Sequence, residues 1–215
     1  MHGLEESIQN TFTAFFILMA VTQFAFPVAI MIATFWNGPV QRHRRWLARA
    51  PAVPAKDLVP GAVQKVTGVI EPIEALTSPI EGAACVFWDL TVRLGSGSWG
   101  RDLRRRVAAP FWLNDGTARV YVDLVGVVVN LERTYAPNAW FVPSDGERNA
   151  LAVFGLKPSG WLRYTLFTAR LDVGARVSVM GRVDIREVDG KACFMLVSDE
   201  KTGMLWLSDD RRAHG

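Results

Sequence analysis

Histidine is nearly missing from this chain, and the long stretch between residues 44 and 213 has none. The three histidines are His2 in the N-terminal tail, His43 in a basic stretch and His214 beside the C-terminal end. That excludes Ser-His-Asp and Cys-His nucleophile pairs from the stretch between. Cysteine is as scarce. Cys85 and Cys193 are too few for a disulfide framework, and neither has a second cysteine at metal-knuckle or redox-motif spacing. No zinc site and no cofactor is therefore expected. A reduced compartment is the plain reading, with one long Cys85–Cys193 bridge left open. A phosphate-binding loop is also lacking, since "RLGSGSWGRD" (93–102) has glycines but no Lys-Ser/Thr ending and no following helix; it reads as a flexible hairpin tip. There is no internal repeat and no low-complexity tract.

Charge is present but unevenly spread. The net charge is +3. Glu5 and Glu6 give −2 to residues 1–10, while Arg42, Arg44, Arg45, Arg49, Lys56 and Asp57 give +4 to residues 37–57, which leaves +1 for everything after residue 57. The basicity belongs to a collar and not to the folded part.

From Thr11 to Trp36 no residue is charged. As a helix this segment would reach about 39 Å, against a hydrocarbon core of about 30 Å, so it reads as a retained membrane span. The acidic lead and the exit "WNGPVQRHRR" lack the features of a cleaved signal. Glutamates before it and arginines after it orient the C-terminal side to the cytoplasm of a bacterial inner membrane or its equivalent, with the N-terminus outside. Trp36, Arg42, Arg44, Arg45 and Trp46 suit the membrane interface and anionic lipid headgroups. Ala25, Ala29 and Ala33 form a small-residue stripe that would let a second copy approach as a homodimer.

The reading thus divides the chain into a tail (1–10), the span (11–36), a basic collar with a Pro/Ala spacer (37–62), a β domain (63–208) and a C-terminal tail (209–215). Within the domain the apolar period is two. "RVSVMGRVDI" sets Val177, Val179, Val183 and Ile185 on one face with Gly181 in phase, and Arg176, Ser178, Arg182 and Asp184 opposite. Asp115-Gly116 and Asp189-Gly190 each fall between such runs, a strong hairpin signal. Only "GERNALAVFG" (146–155) looks helical. The expected class is all-β, a small OB-like barrel or sandwich with one short helix, preceded by a single N-terminal transmembrane helix.

Three features of the domain could carry function. In "CVFWDLTV", Val86, Trp88, Leu90 and Val92 share one face and Cys85, Phe87, Asp89 and Thr91 the other; with no neighbouring His, Lys or helix start to lower its pKa, Cys85 reads as a buried hydrophobe. Asp89, Asp115, Asp123 and Asp184 are the remaining acid–base candidates, and Asp115 already serves a turn. Arg101, Arg104, Arg105 and Arg106 beside Trp99 form the one basic-aromatic cluster. A domain summing to +1 lacks the electrostatic footprint of a nucleic-acid binder, so nucleic acid is not expected as a partner.

The order "LTSPIEGAACVFWDLTV", "PFWLNDGTARVYVD", "LDVGARVSVMGRV", "MLWLSD" resembles the GIDE domain, also called the BAM (beside-a-membrane) domain, of a mitochondrial membrane-anchored ubiquitin ligase and of bacterial membrane proteins. The matching positions are Thr77, Ser78, Pro79, Gly82, Cys85, Val86, Phe87, Pro110, Phe111, Asp115, Gly116, Thr117, Gly174 and Gly181, with Ile80 where the family turn has leucine. The similarity runs over about residues 66–208. The ligase relatives carry a zinc-binding RING finger and a second span after the domain, neither of which appears before the chain ends at "DDRRAHG". The anchor, the spacer and the absent catalytic groups together point to a non-catalytic binding or scaffold module, with no metal, that recognises a protein or lipid partner near the bilayer. Candidate partner-binding residues are Thr77, Ser78, Pro79, Trp99, Arg104, Arg105 and Arg106. The alternative expectation is a membrane-tethered enzyme subunit, the substrate-recognition part of a ligase-like system whose RING lies on another chain.

Overall fold

The computed structural model describes residues 13, 19, 22–23, 25–30, 45–95, 100–124, 127–131, 134–136, 143–157, 163–188, 190–198 and 205–209. The chain divides into two compact units, Met1–Arg45 and Trp46–Gly215. In the first, residues 25–30 are helical and exposed. Among the described residues no helix is long and apolar enough to cross a membrane. This corrects the expected single-pass anchor, and with it the inner-membrane topology and the lipid partner that rested on it. Hydropathy alone suggested the span. Much of 11–36, including Ala33 of the alanine stripe, lies outside the described residues.

Among the described residues the second unit shows twelve strands: β1 (Val63–Pro72), β2 (Leu76–Thr77), β3 (Ala84–Leu94), β4 (Arg101–Ala108), β5 (Phe111–Asn114), β6 (Arg119–Val122), β7 (Val127–Asn130), β8 (Thr134–Ala136), β9 (Tyr164–Asp172), β10 (Arg176–Val188), β11 (Lys191–Val197) and β12 (Leu205–Ser208). One α-helix of that unit, α1, spans Asp145–Ala152. The strands form a seven-stranded sheet in the order β1-β5-β6-β11-β10-β12-β7, with β1 also pairing β10, and a five-stranded sheet in the order β2-β3-β9-β8, with β4 on β3. The expected all-β barrel is corrected accordingly. With 18% helix beside 51% strand the class is mixed α/β, and the strands make two sheets that do not close into one barrel.

Both hairpin signals are honoured. β5 and β6 pair antiparallel from Phe111–Val122 to Asn114–Arg119, and β10 and β11 pair down to Val188–Lys191. The turns use Gly116 at φ 90° and Gly190 at φ 75°, a region open to glycine at no steric cost. β10 pairs β12 along Ser178–Met180 and β11 from Arg182 onward. Gly181 sits at that handover, where a Cβ would lie 2.4 Å from Leu205 Cδ1 and 2.5 Å from Val197 O.

The main core is built from alternate residues of the seven-stranded sheet, Val66, Ile70, Phe111, Leu113, Val177, Val179, Val183 and Leu196 among them, and Val86, Phe87 and Leu171 join it from the other sheet. Ile185, in phase with the valines, is 52% exposed because it lies on the part of β10 that runs on past β1. The Pro/Ala stretch expected as a spacer also packs here. Ala55 and Leu58 are buried in this core, and Val53 N–H donates to Lys65 O at 2.8 Å.

A second cluster lies on the other face of the five-stranded sheet, where Trp88, Leu90, Val92, Tyr164 and Leu166 meet Ala150 and Leu151 of α1. α1 starts with a capping box. Ser144 Oγ accepts from Glu147 N–H and Glu147 Oε2 accepts from Ser144 N–H. It ends where Leu156 N–H reaches Leu151 O and Gly155 takes φ 69°.

Candidate functional site

The turn before β3 is built inward. Ser78 is buried, its N–H donates to Ala83 O, and Gly82 N–H closes back on Ser78 O at 3.0 Å. Ile80 packs into the second cluster, and Gly146 of α1 comes so close that a Cβ there would lie 2.3 Å from Ile80 O. Thr77 is exposed and Pro79 half-buried. The turn is thus a seat for α1, with Thr77 the part that faces outward.

Cys85 follows directly and is fully buried. The β3–β9 register shifts between Cys85 and Phe87. This bulge sends Cys85 to the side of Trp88, Leu90 and Val92, and Val86 to the main core with Phe87. The strict alternation read from the sequence placed Cys85 and Val86 the other way. Burial pushes the Cys85 thiol up, and the charge of Asp172 adds to it, so a thiolate is disfavoured; neither Cys85 nor Cys193 is in a disulfide.

The arginines come together on β4. Across the β3–β4 ladder Asp89 stands opposite Arg106, Thr91 opposite Arg104 and Arg93 opposite Asp102. Asp89 is 5% exposed. Arg104 grips it with a fork, Nε to Oδ1 at 2.8 Å and Nη2 to Oδ2, and Arg106 Nη2 reaches Oδ2 at 3.4 Å. A neighbouring fork joins Arg93 to Asp102 at 2.7 and 2.9 Å. Hydrogen bonding to Asp89 pushes the Arg104 guanidinium further up, and hydrogen bonding to Arg93 holds Asp102 below the usual carboxylate range. Arg93 also lies over the Phe167 ring at 5.3 Å and Arg106 over Phe87 at 5.7 Å. On the opposite face of β4, Arg105 donates to Val153 O at the end of α1. Arg101, Arg104, Arg105 and Arg106 all remain exposed.

Arg93, Asp102 and the arginine-binding role of Asp89, which the sequence offered only as an acid–base candidate, were not singled out by sequence reasoning, and neither was Phe167. The signal for the first three was present: a hairpin centred on 97–98 sets 93 against 102 and 89 against 106. Phe167 arrives from β9 and had no local signal. Trp99, Trp36, Arg42 and Arg44 lie outside the described residues. Arg45 is exposed, and Trp46, expected at a membrane interface, meets Trp206 edge-on with ring centroids 4.9 Å apart.

The acid–base candidates are dispersed. Asp89 sits on β3 under its arginines, Asp123 follows β6, and Asp184 on β10 lies 3.5 Å from Arg186. Asp115 borders a cavity of about 270 Å3 with Asn114 and Arg176. Its carboxylate accepts N–H groups from Ala55 at 2.6 Å, Thr117 at 2.8 Å and Ala118 at 3.0 Å, and the Thr117 hydroxyl. Burial raises its pKa, but these donors outweigh burial and leave it below the ordinary value. Such a carboxylate is a poor proton acceptor. Among the described residues no group of His, Cys, Asp and Glu could hold a metal ion. No family model, no curated protein and no solved structure matches this chain.

Proposed function

We propose that the second unit is a non-catalytic module that docks a protein partner on the β3–β4 strand pair. One observation carries this reading. Five arginines (Arg93, Arg101, Arg104, Arg105, Arg106) and two aspartates (Asp89, Asp102) gather there for a local charge of +3, while all residues after 57 sum to +1. The rest of that region is therefore net acidic, and the basic patch is a directed feature rather than a share of general basicity. Arg104 and Arg106 are held by buried Asp89, and Arg93 and Arg106 lie over aromatic rings, so these three lose little side-chain entropy on binding. The motif order that resembles the GIDE domain supports a binding role in the same direction.

Titration with poly-glutamate tests it. Wild type binds with an affinity that falls as salt rises. The Arg101→Glu/Arg106→Gln variant, which leaves the Arg104–Asp89 fork in place, binds at least tenfold more weakly with an unchanged circular dichroism spectrum. Equal binding by both proteins contradicts the reading.

A further inference from the structure

β4 is held from one side. It pairs β3 from Arg101 to Ala108, and among the described residues no strand pairs its other edge. Which backbone groups face that edge follows from the ladder. Ala109 N–H donates to Val86 O at 2.9 Å, one step beyond the Phe87–Ala108 pair. Hydrogen-bonded and non-hydrogen-bonded pairs alternate along an antiparallel ladder. Arg101, Leu103, Arg105 and Val107 therefore direct their N–H and C=O groups to β3, and Asp102, Arg104, Arg106 and Ala108 turn theirs outward. Two of these outward residues carry arginine side chains that are 46% and 40% exposed.

Resting on the docking reading above, we infer that β4 receives an extended acidic segment of a partner protein as an added strand. Strand addition takes its affinity from main-chain hydrogen bonds and its specificity from alternate side chains. Charge decides the occupant. A second copy of β4 would set arginine against arginine, which disfavours self-pairing. A segment with carboxylates two residues apart sets them beside Arg104 and Arg106 on one face of the extended sheet. Each guanidinium has five N–H donors, and the bonds to Asp89 engage two from Arg104 and one from Arg106, so donors remain for a ligand.

The test uses the full chain and a synthetic twelve-residue peptide alternating glutamate and threonine. Its comparators are a lysine/threonine counterpart, a copy N-methylated on alternate backbone amides, and a single-stranded oligonucleotide. The Glu/Thr peptide binds, and the lysine and N-methylated peptides bind at least tenfold more weakly. Ala108→Pro removes one outward N–H at an exposed site and leaves the bonds to β3 intact; it weakens Glu/Thr binding at least tenfold with an unchanged melting temperature. Equal binding of the N-methylated peptide overturns strand addition while leaving charge-based docking standing. Indifference of the Glu/Thr peptide to Arg101→Glu/Arg106→Gln overturns both. An oligonucleotide that binds more tightly than the peptide overturns the assignment to a protein strand.

Discussion

The Asp115 carboxylate accepts the Ala55 backbone N–H at 2.6 Å across a sequence separation of 60 residues. This bond ties the Pro/Ala stretch to the β5–β6 turn, and the same carboxylate closes that turn through Thr117 and Ala118. A turn residue thus also anchors the stretch that leads into β1.

Asp115→Ala should cost about 2 kcal/mol, since it removes hydrogen bonds to a charged acceptor and strands their donors. The effect has a pH signature. The folded carboxyl ionises below its ordinary 3.8, so its stabilisation is complete above that value and is lost as pH falls through the folded pKa. Urea unfolding of wild type and variant from neutral to acidic pH should show the gap narrowing at the acid end. A pH-independent gap would contradict the account.

Lys65 presents the opposite case. It is 1% exposed, and its ammonium donates to Leu47 O at 3.2 Å. Burial holds its pKa below 10.5. The unfolded chain then binds the proton more readily, so stability rises with pH between the folded pKa and 10.5. Lys65→Met, close in volume, should gain about 1 kcal/mol at neutral pH by removing the buried charge. Thermal melts should show that advantage shrinking as pH approaches 10.5.

Gly181→Ala should destabilise the fold by about 1–3 kcal/mol, the usual cost of overpacking. Val197 O is backbone and cannot swing away from the 2.5 Å contact. A drop in melting temperature with retained sheet content is the expected result.

Thiol labelling should run in two stages. Cys193 is partly exposed and Cys85 is buried, so one thiol reacts in the native protein and the second only with denaturant. Fast native labelling of both would place Cys85 at the surface and reopen thiol chemistry.

Period-two alternation and the Asp-Gly turns made the hairpins legible, because both signals are local. The helix read over 146–155 starts one residue earlier, at Asp145, and ends at Ala152; its Ser144–Glu147 cap was a signal the reading did not use. The bulge at Cys85 was not legible: it depends on how β9 meets β3, and one inserted residue reverses which face a side chain takes. Burial of Lys65 was hidden for a similar reason, as its cover comes from Leu47, outside its own strand. For the Thr11–Trp36 run, hydropathy read a span, whereas among the described residues no helix is long and apolar enough to cross a membrane. The arginine cluster was visible as composition, but its grip on Asp89 required the hairpin register.

Amide hydrogen exchange along β4 tests the central claim most directly. In the free protein the amides of Leu103, Arg105 and Val107 should be protected and those of Arg104, Arg106 and Ala108 should exchange fast. Adding the Glu/Thr peptide should slow that second set at alternate positions. Exchange of Arg104, Arg106 and Ala108 that stays unchanged while the peptide is bound would contradict docking on this edge.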